Sequence, residues 1–174
     1  VDSDYDWSAD PLAPGLNGTI THCAWTTLSA KDGFQLAAYV AKPEGIPRGA
    51  IVVVQEIFGV NSHIKSICDR LAENGYVAIA PAMFDRIHPG FESGYTPEEV
   101  ARAKALMQNF NIETALLDLE AARGKVATAG NVGIVGFCLG GSLSWLAATR
   151  LKGFSGASSF YGGMVQQFAT EVPK

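Results

Sequence analysis

The sequence lacks the features that mark membrane-spanning, nucleic-acid-binding or secreted proteins. Among its 174 residues there is no run of about 18 apolar residues, the length that a membrane-spanning helix requires. The 13 Lys and Arg residues are scattered and outnumbered by 17 Asp and Glu residues, for a net charge of -4, so nucleic-acid binding is not expected. The first ten residues carry acids where a secretory signal would carry Lys or Arg. We therefore expect a cytoplasmic protein with no membrane partner.

Cysteine is scarce as well. Cys23, Cys68 and Cys138 are odd in number and form no C-x-x-C pair, which excludes a disulfide framework. Together with three histidines they lack the spacing of metal ligands, so no metal site is expected. Cys68 shares one face of a predicted helix with Ile64 and Leu71, and we interpret it as a core residue.

Length and composition predict one globular domain with a substantial core. Hydrophobic residues make up 48% of the chain and charged residues 17%, which is ordinary for a folded protein. Prolines and glycines near the amino terminus predict an irregular arm over residues 1–20. Residues 21–174 are then the domain.

Strand and helix patterns alternate along that domain. Two β-prone runs flank Asp32-Gly33, a dipeptide typical of a type I′ hairpin turn. After them, buried strands are predicted at AIVVVQE, YVAIAPA, NVGIVGF and GASSFYG, and helices at about 61–74, from Pro97, at about 113–127, and at LGGSLSWLAATRL. We expect an α/β fold: a mostly parallel sheet with an opening antiparallel hairpin and helices on both faces.

The most informative segment is GIVGFCLGG, where a buried strand runs directly into a helix. It matches the G-x-S-x-G nucleophile elbow with Cys138 in place of serine. Gly136 and Gly140 leave room for the sharp turn, since a side chain at either position would crowd the nucleophile. The helix N-terminus should favour the thiolate of Cys138, and the N–H of Leu139 is placed to stabilise an oxyanion.

Two other interpretations of Cys138 are open. A free cysteine is commonly a small buried apolar residue, and a glycine-rich turn between strand and helix can cradle a phosphate. The strand, the helix and both glycines together favour a nucleophile over a core residue. The G-x-G-x-x-G pattern of a dinucleotide site is absent, because Gly140 and Gly141 are the next glycines after Gly136.

The order QEIFGVN, YVAIAPAMF and GFCLGG resembles the dienelactone hydrolase family over nearly the whole chain after residue 25. The resemblance implies an α/β-hydrolase fold that hydrolyses an enol-lactone, as a carboxymethylenebutenolidase does, without metal or organic cofactor. It implies Cys138 as nucleophile and Ile57 with Leu139 as donors of the oxyanion-hole N–H groups. Glu56 would be the carboxylate that contacts the resting thiol and helps to form the thiolate. From the residues alone, Glu56 could instead pair with an Arg or a helix N-terminus.

Substrate recognition departs from the family pattern. Family members hold the substrate carboxylate with an Arg and a Tyr on the helix that follows the predicted capping box at Thr96. Here that helix reads EEVARAKALMQNF, with Arg102 and Lys104 nearby. Arg102 is therefore a candidate substrate-binding residue, with a solvated helix position as its alternative.

A general esterase or thioesterase, and a non-catalytic binding module with the same fold, are the competing functions.

The rest of the triad is not visible. This fold places an acid and then a histidine after the nucleophile, but residues 139–174 contain neither Asp nor His, and Glu171 lies in a predicted loop. His22, His63 and His88 all precede the elbow, and we expect His63 and His88 to face solvent. We therefore expect the fold to be C-terminally incomplete, with its base outside this sequence. A small lactone or ester is the expected partner, and a monomer or weak homodimer the expected assembly.

Overall fold

The computed structural model describes residues 20–174, which form a sheet of six strands with four helices. The predicted arm over residues 1–20 lies outside the described residues, except that Ile20 begins the first strand. The strands are β1 (Ile20–Ser29), β2 (Gln35–Pro43), β3 (Ala50–Val54), β4 (Val77–Pro81), β5 (Val132–Phe137) and β6 (Gly156–Phe160). The helices are α1 (Ser62–Glu73), α2 (Pro97–Met107), α3 (Ile112–Val126) and α4 (Leu139–Arg150).

The strands lie in the order β1-β2-β4-β3-β5-β6. Strand β2 pairs antiparallel with both β1 and β4, whereas β4, β3, β5 and β6 run parallel to one another. This confirms the predicted mostly parallel sheet with an opening antiparallel hairpin. All parallel strands end at the same edge, so the loops after β3, β5 and β6 meet there.

Both faces of the sheet are covered. In β3, Val52 and Val54 pack in one cluster with residues of α3 and α4, while Val53 packs on the opposite face with residues of α1. This alternation follows from the two-residue period of a strand, and it explains why the run is apolar throughout. Cys68 of α1 is completely buried, as predicted. Among residues 20–174, no helix is long and apolar enough to cross a membrane.

The predicted helix ends are confirmed. Asn61 caps α1 by accepting a hydrogen bond from the Ile64 N–H at 3.2 Å, and Gly75 with φ 87° follows the last turn. At α2 the Thr96 side chain and the Glu99 carboxylate form the predicted reciprocal capping box.

The predicted type I′ turn is wrong, although the hairpin itself is confirmed. Gly33 has φ 86°, but Asp32 is not among the non-glycine residues with positive φ in the described part of the chain. Ala30 instead accepts from the Gly33 N–H at 2.9 Å and donates to the Phe34 carbonyl at 2.8 Å, which is a three-residue loop. The Asp32 carboxylate accepts from the Phe34 N–H at 3.2 Å and also binds Arg86 at 2.8 Å, and both contacts stabilise this loop.

Arg86 joins the hairpin to the loop after β4 and to α3. Its guanidinium binds Asp32 at 2.8 Å and Asp118 at 2.8 Å, and it lies 4.3 Å from the centre of the Phe34 ring. Asp118 is buried, and burial raises the pKa of its carboxyl despite the opposing effect of Arg86. Arg86 lowers the pKa of the exposed Asp32. The cluster therefore fixes the loop that leads toward the carboxyl edge of the sheet.

We expect Asp118→Asn to lower the free energy of unfolding by about 2 kcal/mol, because an amide cannot accept both hydrogen bonds that Arg86 donates to the buried carboxylate. Asp32→Asn is the matched control, and its loss should be much smaller because water replaces the lost partner there. Urea unfolding of the two variants measures the difference. Equal losses would contradict the assignment of Asp118 as the stabilising partner.

Candidate active site

The strand register brings three side chains into one row at the carboxyl edge. Val54 of β3 pairs with Gly136 of β5, and Phe137 of β5 pairs with Phe160 of β6. Counting on from these pairs places Glu56, Cys138 and Tyr161 at equivalent positions just beyond three adjacent strands. Sequence reasoning selected the first two and missed the third.

Cys138 occupies a sharp turn between β5 and α4. Its backbone has φ 53° and ψ -112°. Cys138 is one of two non-glycine residues with positive φ in the described part of the chain. The Cys138 N–H donates to the Phe160 carbonyl at 3.0 Å, and its carbonyl accepts from the Ser142 N–H at 3.2 Å. Backbone strain of this kind persists only where the surroundings impose it. The predicted strained elbow is thus present.

Close backbone contacts explain the two elbow glycines. A Cβ at Gly136 would collide with the Gly140 carbonyl oxygen, and a Cβ at Gly140 would collide with the Val54 carbonyl oxygen. The Gly140 N–H also donates to the Gln55 carbonyl at 3.0 Å, which draws the first turn of α4 against the end of β3. Both glycines therefore have the steric task that the motif predicted.

Gln55 fixes the neighbouring loops. Its fully buried side chain accepts from the Met83 N–H at 3.1 Å and donates to the Glu56 carbonyl at 3.2 Å. Since its own carbonyl accepts from Gly140, one residue binds the ends of β3 and β4 and the start of α4. Gln55 therefore organises the site. It belongs to the motif QEIFGVN, but the sequence did not indicate this role.

The Cys138 thiol is half-buried, and its pKa is raised. Burial is the main cause, and the negative charge of Glu56 acts in the same direction. The Leu139 N–H hydrogen-bonds the sulfur and lowers the pKa, as expected of a helix N-terminus, but it does not outweigh the other two effects. The thiol is accordingly protonated at neutral pH in this arrangement.

Two tyrosines approach Glu56. Tyr161 is 64% exposed, and its hydroxyl donates to the Glu56 carboxylate at 3.4 Å. Partial desolvation and the negative charge of Glu56 raise the pKa of Tyr161 to about 12. The pKa of Tyr95 is also raised, first by burial and then by Glu56. The Tyr95 oxygen accepts from the Asn61 side chain at 3.3 Å, and its ring packs edge-on against Phe58, with ring centres 4.7 Å apart.

The two candidate oxyanion donors lie beside this row. Leu139 begins α4, and its N–H points at the Cys138 sulfur. Ile57 lies half-buried in the turn after β3, and its N–H forms no hydrogen bond with any group of residues 20–174. The Ile57 N–H is thus available to a ligand, whereas the Leu139 N–H is bound to the Cys138 sulfur in this structure.

Other candidates lie elsewhere. Arg102 is exposed on α2; the pKa of Glu99 is lowered mainly by a hydrogen bond from the Thr96 backbone, and the charge of Arg102 adds a minor contribution. Glu171 is bound to Arg150 at 2.7 Å and to Thr149 at 2.7 Å, on the far part of α4. His88 is exposed as predicted, whereas His63 is only partly exposed. His63 is half-buried, with its ring centre 6.3 Å from that of Phe137, because the first turn of α1 packs beside the end of β5. His22 is exposed on β1.

Comparison with known proteins agrees with this geometry. Residues 36–174 match the family model for the dienelactone hydrolase family. A protein of Synechocystis sp. with the provisional name carboxymethylenebutenolidase is 42% identical over 144 residues, covering 79% of this chain and 58% of that protein. The carboxymethylenebutenolidase of Pseudomonas putida is 35% identical over 156 residues, covering 85% of this chain and 64% of that protein.

A solved structure shows the same fold. The crystal structure of a provisionally named dienelactone hydrolase from Klebsiella pneumoniae superposes with a TM-score of 0.68 at 33% identity. The match covers 81% of this chain and 60% of the other chain. The sheet described above is therefore that of an α/β-hydrolase, and this chain spans about 60% of the length of the proteins it matches.

We expect Gly136→Ala to lower the free energy of unfolding by about 3 kcal/mol, because the new methyl group meets a backbone carbonyl that cannot move aside. Gly133→Ala in the same strand is the matched control. A Cβ there lies at an ordinary 3.7 Å from the Gly156 carbonyl oxygen, so the change should stay within about 1 kcal/mol. Chemical denaturation of both variants decides, and equal stability of the two would contradict the steric role of Gly136.

Proposed function

This chain belongs to the dienelactone hydrolase family, and from that premise we propose that it carries the nucleophile of a hydrolase that opens an enol-lactone or ester through a thioester. Cys138 is the proposed nucleophile, and the N–H groups of Leu139 and Ile57 are the proposed oxyanion donors. Glu56 is the proposed acceptor of the thiol proton. Because the chain spans about 60% of its relatives' length, the activity is proposed for the whole protein.

The strained backbone of Cys138 is the observation that carries the proposal. A cysteine that served only as a core residue would need neither φ 53° nor a half-exposed sulfur beside a carboxylate. The same observation weighs against a purely non-catalytic binding module. It does not separate a lactone from an open-chain ester or thioester, since all three present a carbonyl carbon to the same thiolate.

The proposed first half-reaction transfers an acyl group to sulfur. The Cys138 proton moves to the Glu56 carboxylate, and the sulfur electron pair forms a bond to the substrate carbonyl carbon. The carbonyl π electrons move to oxygen, where the Leu139 and Ile57 N–H groups stabilise the negative charge. When the tetrahedral species collapses, the C–O bond of the lactone breaks and the leaving enolate oxygen takes the proton back from Glu56.

The second half-reaction returns the enzyme to its resting state. Water adds to the thioester carbonyl and the C–S bond breaks; one proton of the water returns to the Cys138 sulfur, and the other is released to solvent as the product leaves as a carboxylate. We assign no general base for this water to a residue of this chain. His22 and His88 are both exposed, and within residues 20–174 neither forms a hydrogen bond with Glu56, Cys138 or Tyr161.

The protonated resting thiol has a functional rationale within this proposal. A permanently ionised thiolate would react with oxidants and adventitious electrophiles, whereas a thiol ionised in the presence of substrate is protected between turnovers. Burial and Glu56 both hold the pKa of Cys138 up, so ionisation must be coupled to substrate binding.

We expect Cys138→Ala to abolish hydrolysis of an enol-lactone, and Cys138→Ser to reduce turnover on the order of 10³-fold or more, because a hydroxyl ionises far less readily than a thiol. Cys23→Ser is the matched control and should retain turnover, since Cys23 is exposed on β1. Initial rates on a panel of lactones, esters and thioesters provide the measurement and also identify the preferred substrate class. Turnover by Cys138→Ala close to that of the unaltered protein would refute the proposal.

The raised pKa of Cys138 predicts a pH profile. Alkylation by iodoacetamide should be slow at pH 7 and rise about tenfold per pH unit up to the pKa, because only the thiolate reacts. Glu56→Gln should increase the rate at pH 8 by roughly fivefold, because it removes a negative charge that disfavours the thiolate. Peptide mass spectrometry gives the rate at each cysteine. A slower reaction of Glu56→Gln would show that Glu56 promotes ionisation at rest rather than opposing it.

A further inference from the structure

The Glu56 carboxylate is the one acidic group in the row at the carboxyl edge, and it extends from a turn rather than from a strand. A half-buried carboxylate on a turn can adopt several rotamers, and some of them would point into water away from Cys138. Neighbouring side chains must therefore hold the Glu56 carboxylate in the rotamer that acts on the Cys138 thiol. The contacts around Glu56 identify two phenols as that restraint.

We propose that Tyr161 and Tyr95 are positioning residues that hold the Glu56 carboxylate beside Cys138. Tyr161 donates its hydroxyl hydrogen to Glu56 at 3.4 Å from one side. Tyr95 approaches from the loop before α2, and its oxygen already accepts from the Asn61 amide at 3.3 Å, so its own hydrogen is free to turn toward Glu56. This inference rests on the proposed function in taking Cys138 as the reacting group and Glu56 as the carboxylate that acts on its thiol.

The backbone around Tyr161 supports a specific placement of its side chain. Tyr161 has φ 40°, a strained value for a residue with a ring, and it follows directly on the Phe160 carbonyl that accepts from Cys138. The adjoining segment is attached to α4 on both sides: Ser159 donates to the Gly141 carbonyl at 2.7 Å, and the Met164 N–H donates to the Ser142 hydroxyl at 3.1 Å. The fold thus imposes the strain and directs the phenol at Glu56.

Side-chain packing and backbone contacts also restrain Tyr95. Its ring packs edge-on against Phe58, and Asn61, which orients its oxygen, is the N-cap of α1. The loop that carries it is joined to the turn after β3 by a bridge between Gly59 and Glu92, and by a 3.0 Å bond from the Ser93 N–H to the Phe58 carbonyl. The position of Tyr95 relative to Glu56 is therefore set by backbone contacts.

The two phenols suit this role at the pH at which the enzyme would work. The pKa of Tyr161 is raised to about 12 and that of Tyr95 is raised as well, so both remain protonated donors. The titratable groups around Cys138 are Glu56 from the turn after β3, Tyr161 from the end of β6 and Tyr95 from the loop before α2. His63 of α1 lines the groove that Tyr161 shares with Phe137 and Phe160.

A double-mutant cycle on the thiol tests the proposal. The reporter is the pH dependence of Cys138 alkylation, measured in a Cys23→Ser background so that the fully buried Cys68 is the other remaining cysteine. We expect Tyr161→Phe to raise the alkylation rate at pH 8 roughly twofold and the Tyr95, Tyr161 double Phe variant to approach the roughly fivefold effect of Glu56→Gln. A carboxylate without its phenol donors turns to water, because a thiol is too weak a donor to retain it.

The decisive comparison is made in the Glu56→Gln background. If the tyrosines act through the carboxylate, Tyr161→Phe should have no effect on the alkylation profile there. An effect that persists without Glu56, or no effect of Tyr161→Phe in its presence, overturns the proposal. Tyr76→Phe is the matched control and should leave the profile unchanged, since Tyr76 lies at the opposite end of the sheet against Arg48.

These outcomes are separable from those that test the hydrolase. Loss of the tyrosine effect with an intact requirement for Cys138 in turnover refutes only the positioning role. Full turnover by Cys138→Ala refutes the nucleophile, whatever the tyrosines do. Thermal unfolding of each variant checks that a changed profile is not the result of a disrupted elbow.

Discussion

The contact between the first turn of α4 and the end of β3 is the constraint on which the site depends. Gly140 can approach the Val54 and Gln55 carbonyls only because it has no side chain, and its N–H then binds the Gln55 carbonyl. That approach forces the chain at Cys138 into its positive-φ turn. The strand register consequently brings Glu56 and Cys138 to neighbouring positions beyond β3 and β5, although 82 positions separate them in the chain.

Several features of the fold followed from the sequence because they depend on local patterns. The capping box at Thr96, the bounds of the helix near residues 61 and 74, and the apolar run of β3 are each recognisable within a few residues. The elbow was equally local, since strand, glycines, cysteine and helix fall within one short segment. The predicted type I′ turn failed because Ala30 bonds to both Gly33 and Phe34, which closes a three-residue loop in which Asp32 needs no positive φ.

The tyrosines escaped sequence reasoning because their position depends on distant contacts. Tyr95 lies on an irregular loop whose path is set by backbone bonds to the turn after β3. Tyr161 was easier to find: it lies near the carboxyl end of the predicted strand GASSFYG, and the carboxyl ends of parallel strands meet at the same edge of a sheet. His63 was assigned to solvent because its helix could be predicted from periodicity, whereas the neighbour of that helix could not.

The bond from the Cys138 N–H to the Phe160 carbonyl has a consequence for how the site comes into being. The elbow needs the end of β3, the whole of β5 and the end of β6, segments that are remote in sequence, so its geometry cannot form during early, local folding steps. In the unfolded chain the three thiols have no such surroundings and differ little. The alkylation rate of Cys138 therefore differs from that of the other thiols only in fully folded molecules. It can report the folded fraction in a mixture that still contains collapsed intermediates.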